Sequence, residues 1–278
     1  MDRELVLAVL ILALAGPALV VAAAWPQRST PSVCAVQWER ACWRSLWLPV
    51  AVGLVVVSAL LGWAMLEPDN AERLPRSILA IGVLFGGLWA RAVSRAVRSL
   101  RRRRPNVPAA TVGLWHPRCV VSDDLVARLD CDAIDAVRTH EEAHARHRDP
   151  LRVWLAQLAT DLQWPSRSAR QRFDHWRRVL ELARDEEARH RGADGPDLAA
   201  AILVAARLRT ASLTTMGLIG DSTGLEDRIG RLLAPLPADE PARTVSPVLV
   251  LLPACLLSVV LGARFGEAVM QMIMRALL

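Results

Sequence analysis

The chain has 278 residues, of which 53% are hydrophobic, only 5% aromatic and 22% charged, with a mean hydropathy of +0.26. Those proportions exclude an evenly mixed chain and point to apolar blocks alternating with charged ones, and the length suits one or two domains. All 34 basic side chains are arginine, which excludes lysine-dependent chemistry, and the five scattered cysteines (Cys34, Cys42, Cys119, Cys131, Cys255), without a CxxC pair, fit neither a disulfide framework nor a cysteine zinc site.

Residues 5–25, LVLAVLILALAGPALVVAAAW, carry no charge and are long enough to cross a bilayer core of roughly 30 Å at about 1.5 Å per residue. A signal peptide is the rival reading, since VVAAAW offers small residues for cleavage. The head MDRE, however, brings no net positive charge, and the run exceeds the usual apolar core of about 7–15 residues. Residues 46–66 form a second uncharged block, 77–90 a shorter one between Arg76 and Arg91, and 245–263 a fourth. The expected fold class is therefore mainly α: a polytopic membrane protein with about four transmembrane helices. Residues 1–104 would hold three of them and a basic run, 105–244 a separate unit, and 245–278 the last helix and a short outer tail. Arg91, Arg95, Arg98 and the run from Arg101 to Arg104 follow the third block, which places 105–244 on the cytoplasmic side. That run lacks interleaved aromatics or a nucleic-acid motif, so membrane lipid is its expected partner and direct nucleic-acid binding is not expected.

Within 105–244, Pro105, Pro108 and Gly113 mark a loop-like start, and Arg118-Cys119-Val120-Val121 reads as a short strand closed by Pro117 and Ser122. Ser122-Asp123-Asp124 reads as a turn or helix cap, and the pattern from Asp132 to Arg148 is helical. Residues 151–164 place Leu151, Trp154, Leu155, Leu158 and Leu162 on one face, either packed on the preceding helix or at a membrane interface. Another helix covers 175–190.

The first of these helices contains His140-Glu141-x-x-His144. Two imidazoles one turn apart project from one face and can share a tetrahedral zinc at about 2.0–2.1 Å each. Glu141, roughly 100° round the helix, sits beside that position and can take a proton from an activated water. In an Arg/Glu-rich helix the same string also arises without a metal, so the third ligand decides. His147 is excluded, because on a continuous helix it lies about 10 Å along the axis from His140. Glu181-x-x-x-Asp185 follows on the second helix, thirty-seven residues after His144. Glu181 would complete a His₂Glu set and Asp185 could fix a ligand histidine's tautomer; alternatively both belong to a solvated acidic face with Glu186 and Glu187.

In order, GLWHPRCVVSDDL (113–125), AVRTHEEAHARHRD (136–149), LELARDEEA (180–188) and GLEDRIGRLL (224–233) resemble the membrane metallopeptidases of the BlaR/MecR antirepressor type. The resemblance implies His140, His144 and Glu181 as Zn²⁺ ligands, Glu141 as general base and Asp185 as the acid of the second motif. It also implies a bacterial inner-membrane protein with a cytoplasmic active site, acting in signal transduction and cleaving a cytosolic protein such as a winged-helix repressor. Ser122 departs from the family's proline and Arg184 from its cysteine. Only fifteen residues follow the fourth block and no lysine is present, so direct β-lactam sensing by acylation in the extracellular domain of the best-known members is not expected, and a separate sensor protein is one expected partner. A quality-control or processing membrane protease and a non-catalytic receptor or scaffold are the competing readings. Cys119, Val120 and Val121 are expected either to add a substrate strand beside the site or to pack beneath the motif helix.

Overall fold

A computed structural model describes residues 34–64, 76–101, 107–212, 222–237, 272 and 275–276. Two long helices come first, α1 (Ala35–Ala64) and α2 (Arg76–Arg101). A two-stranded sheet, β1 (Ala109–Val112) and β2 (Arg118–Val121), leads into the single turn α3 (Asp123–Val126). Five further helices complete the described chain: α4 (Cys131–Arg146), α5 (Asp149–Leu162), α6 (Arg167–His190), α7 (Gly195–Ser212) and α8 (Ser222–Leu233).

Local chemistry sets the boundaries. Asp130 caps α4 by accepting from the backbone N–H of Ala133 at 2.9 Å, Ser166 caps α6 through Ala169 at 3.2 Å, and Ser122 caps α3 through Leu125 at 3.3 Å. Each satisfies a donor that the first turn leaves free, worth about 1 kcal/mol. The strands pair antiparallel, Ala109 opposite Val121 and Val112 opposite Arg118. Gly113 turns the chain out of β1 at φ +100°, where a Cβ would stand 2.6 Å from the His116 carbonyl oxygen, so only glycine fits.

The first half of α1 lies along α6, where Cys42 and Leu46 pack with Phe173, Trp176, Val179 and Leu180. Trp176 donates its indole N–H to Glu39 at 2.7 Å, which satisfies a buried carboxylate. A second apolar cluster joins α4, α6, α7 and α8 through Ala136, Ala188, Leu198 and Leu232. A third gathers Leu125, Ala133, Val137 and Ala201, and the inner face of the hairpin leans on it through Ala109 and Val121. In α5 the small Ala156 and Ala159, rather than the leucine stripe, are the fully buried apolar side chains.

The mainly helical content agrees with expectation, but the polytopic architecture is overturned. Among the described residues no helix is long and apolar enough to cross a membrane. The block at 46–66 is not a free-standing apolar helix: α1 starts well before it, with Glu39, Arg40 and Arg44, and its first half is committed to the core on α6. The block at 77–90 is the front of α2, whose rear half carries Arg91, Arg95, Arg98 and Arg101 and is tied to α5 by Arg95–Asp161 at 3.0 Å. The blocks at 5–25 and 245–263 lie outside the described residues.

Candidate metal centre

His140 and His144 project from α4 with their Nε2 atoms 3.1 Å apart. Glu181 reaches across from α6, its Oε2 3.8 Å from His140 Nε2 and 3.9 Å from His144 Nε2. These three donors lie within 4.8 Å of one another and could hold a metal ion. Tetrahedral bonds of about 2.0–2.1 Å would set ligand atoms about 3.3 Å apart, so small side-chain rotations suffice. The set fits a metal with an open fourth position.

Both imidazoles are backed on their other nitrogen. His144 Nδ1 pairs with Asp149 Oδ2 at 2.8 Å, and His140 Nδ1 lies 2.9 Å from Asp185 Oδ1, without the alignment of a full hydrogen bond. A proton shared with each carboxylate at Nδ1 leaves Nε2 as the ligand atom, from which a bound ion would displace any second proton. Each carboxylate is held in turn by arginine. Arg228 of α8 donates to Asp185 through Nε at 2.8 Å and Nη2 at 2.9 Å, and its Nη1 lies 3.1 Å from Glu181 Oε2. Arg184 donates from Nε and Nη2 to Asp149, which also accepts from Arg152 at 3.0 Å. Arg152 then donates to Glu39 at 2.6 Å, linking the histidine pair to α1.

The turn before α5 makes the Asp149 contact available. Arg148 sits in the left-handed region at φ 50°, a conformation costing a non-glycine residue about 1–2 kcal/mol. It lets α5 start at once after α4, so that Asp149 folds back onto His144.

The electrostatics follow from these contacts. Burial would lower the basicity of His140, but Asp185 and Glu181 outweigh it and raise its pKa to about 9. Burial would likewise push Glu181 and Asp185 up, yet Arg228 first, and then the histidines, hold both below the usual carboxylate range. Asp149 is held well down against its own burial by His144 and Arg184.

Glu141 is buried beside the pair, and Thr111 of β1 lies 2.8 Å from both its Oε2 and its backbone carbonyl oxygen. The hydroxyl fixes the carboxylate against the cavity wall. A cavity of about 240 Å³ opens in front of His140, His144, Glu141 and Glu181, with Ala109, Ala110 and Thr111 of β1 along one side. The structure thus brings together His140, Glu141, His144, Glu181 and Asp185. Cys119, Val120 and Val121 form β2 over the expected residues, but β1 stands between them and the metal cavity.

His147 and the neighbouring acids have other partners. His147 stands 2.8 Å from Glu187, which also accepts from Arg146 and Arg184 at 3.1 Å each. Glu186 is not on a solvated face: it is buried, accepting from the Ala35 backbone N–H at 2.9 Å and the Cys34 thiol at 2.7 Å at the start of α1. Burial would raise the pKa of Glu187, but His147, Arg184 and Arg146 bring it down from 4.5 to about 2. A depressed carboxylate stabilises the fold above its unfolded pKa, and that stability is lost as pH falls through the folded value. Glu187→Gln should therefore cost about 2–3 kcal/mol near neutrality and progressively less between pH 4.5 and 2. Urea unfolding at pH 7 and pH 3 checks this, and an equal cost at both would refute it.

No protein-family model, curated protein or solved structure matches the chain. The likeness to the BlaR/MecR type accordingly rests on the motifs alone.

Proposed function

We propose that the chain is a zinc endopeptidase acting on protein substrates. The observation that carries this reading is the convergence of His140, His144 and Glu181 on one point, with each histidine backed by a carboxylate and Glu141 beside them. Two neutral nitrogens, one carboxylate and an open position are the donor chemistry of catalytic zinc. When bound, such an ion supplies Lewis acidity that makes water a nucleophile near neutral pH.

The remaining work falls to the chain's own groups. Glu141, oriented by Thr111, accepts the proton of the attacking water and returns it to the departing amine nitrogen. Asp185 and Asp149 keep the Nδ1 proton of each histidine in place, and Arg228 and Arg184 keep those carboxylates charged and aimed. The cavity wall on β1 accepts an extended chain across the site. The motif resemblance supports a winged-helix repressor as the class of substrate.

Incubation of the purified chain with an unfolded protein such as denatured casein tests the reading. Cleavage should stop on chelation with 1,10-phenanthroline and return on adding zinc. Cleavage that survives chelation, or none in the presence of zinc, would refute it. A purified winged-helix repressor cut at one position under the same conditions would support the substrate class.

A further inference from the structure

Alternation along the hairpin gives it two unlike faces. Ala109, Thr111 and Val121 face α4 and its cluster. On the outer face Ala110 lies opposite Val120, and Val112, 44% exposed, and Val120, 50% exposed, are covered by no described residue. A groove of about 580 Å³ is lined by Ala110, Val112 and Val120 of this face, and Leu208 of α7 also contributes to its wall. It shares Val107, Pro108 and Ala110 with the metal cavity, so a chain leaving one enters the other.

The charged side chains lining the groove are Asp123 and Asp124, both exposed and neither paired among the described residues. Their position is fixed by the Ser122 N–H, which donates to the Pro108 carbonyl oxygen at 2.8 Å and sets the acids beside Pro108, a residue that lines the metal cavity as well. At the opposite end Arg118 is exposed across from Val112. Negative charge therefore lies at one end of this hairpin face, apolar surface in the middle and positive charge at the other end.

We propose that this outer face is the specificity surface of the peptidase, holding an extended stretch of substrate with a basic residue beside Asp123 and Asp124 and an apolar residue over Val112 and Val120. The inference rests on the peptidase reading and adds the class of sequence it takes. Val120, expected from the sequence to pair with substrate through its backbone, here acts through its side chain. Strand residues two apart share a face, so the basic and apolar positions stand two apart in the bound segment.

The test uses the zinc-loaded Glu141→Gln chain, which binds without turnover, and two fluorescein-labelled decapeptides. They differ only in carrying Arg or Glu two positions before a leucine. Fluorescence anisotropy should give the Arg peptide about threefold to tenfold tighter binding, with the gap narrowing in high salt. Asp123→Asn/Asp124→Asn should erase the gap, and Val120→Ser should weaken both peptides alike; both sites are exposed, so the fold is retained. Equal binding of the two peptides, a gap unchanged in the double variant, or no binding of either would overturn the proposal. Casein cleavage by the wild-type chain is read separately, so failure of the peptidase reading and failure of the groove are distinguishable.

Discussion

Replacing Glu141 by glutamine is expected to leave the metal bound and to remove peptide hydrolysis. The ligands His140, His144 and Glu181 are untouched, and the amide oxygen can still accept from Thr111. The amide cannot take the water's proton, however, and the other carboxylates at the site among the described residues are engaged elsewhere. Glu181 is a candidate ligand and is engaged by Arg228, while Asp185 and Asp149 lie behind the histidines. General-base catalysis is worth about 10²–10⁴-fold, so kcat/KM should fall by at least that factor with zinc content unchanged. Activity within tenfold of the wild type would assign the proton transfer to another group.

Removing Glu181 should have the opposite signature. Glu181→Ala leaves two imidazoles, and losing a ligand should cost more than the roughly 10–100-fold typical of the groups behind ligands. Zinc affinity should fall by at least about 100-fold while the fold persists, because Arg228 keeps its fork on Asp185. Glu186→Ala should leave zinc binding intact and instead loosen α1, whose first N–H and neighbouring thiol it accepts. A competition titration with a chromogenic chelator separates the two. If Glu186→Ala lost the metal and Glu181→Ala kept it, α6 would present a different face to the site.

The candidate ligands were legible because helical spacing is rigid. His140 and His144 stand one turn apart, and Glu181 with Asp185 repeats that spacing on a second helix. Asp149 was written in the sequence just after the motif but had no visible role, since its contact with His144 depends on the left-handed turn at Arg148. Arg184 and Arg228 look like ordinary surface arginines in a chain with 34 basic residues; only packing reveals that Arg184 is buried against Asp149 and that Arg228 spans two acids.

Strand β1 went unread because Ala-Ala-Thr-Val is short and half alanine, although Pro108 and the positive-φ Gly113 bracket it. The membrane reading failed for a related reason. The length of an uncharged run says nothing of its partners, whereas the charged residues of α1 ahead of the block at 46–66 and those of α2 behind the block at 77–90 determine where these helices pack. Glu39 and Cys42 put α1 into the core with Trp176, and Arg95 puts α2 on α5. Such tertiary partners leave no periodic mark within either helix.

Metal analysis of the purified wild-type chain by inductively coupled plasma mass spectrometry tests the central claim most directly. One zinc per chain, retained through desalting, is the expected result. A chain that carries no zinc and takes up none on titration would contradict it.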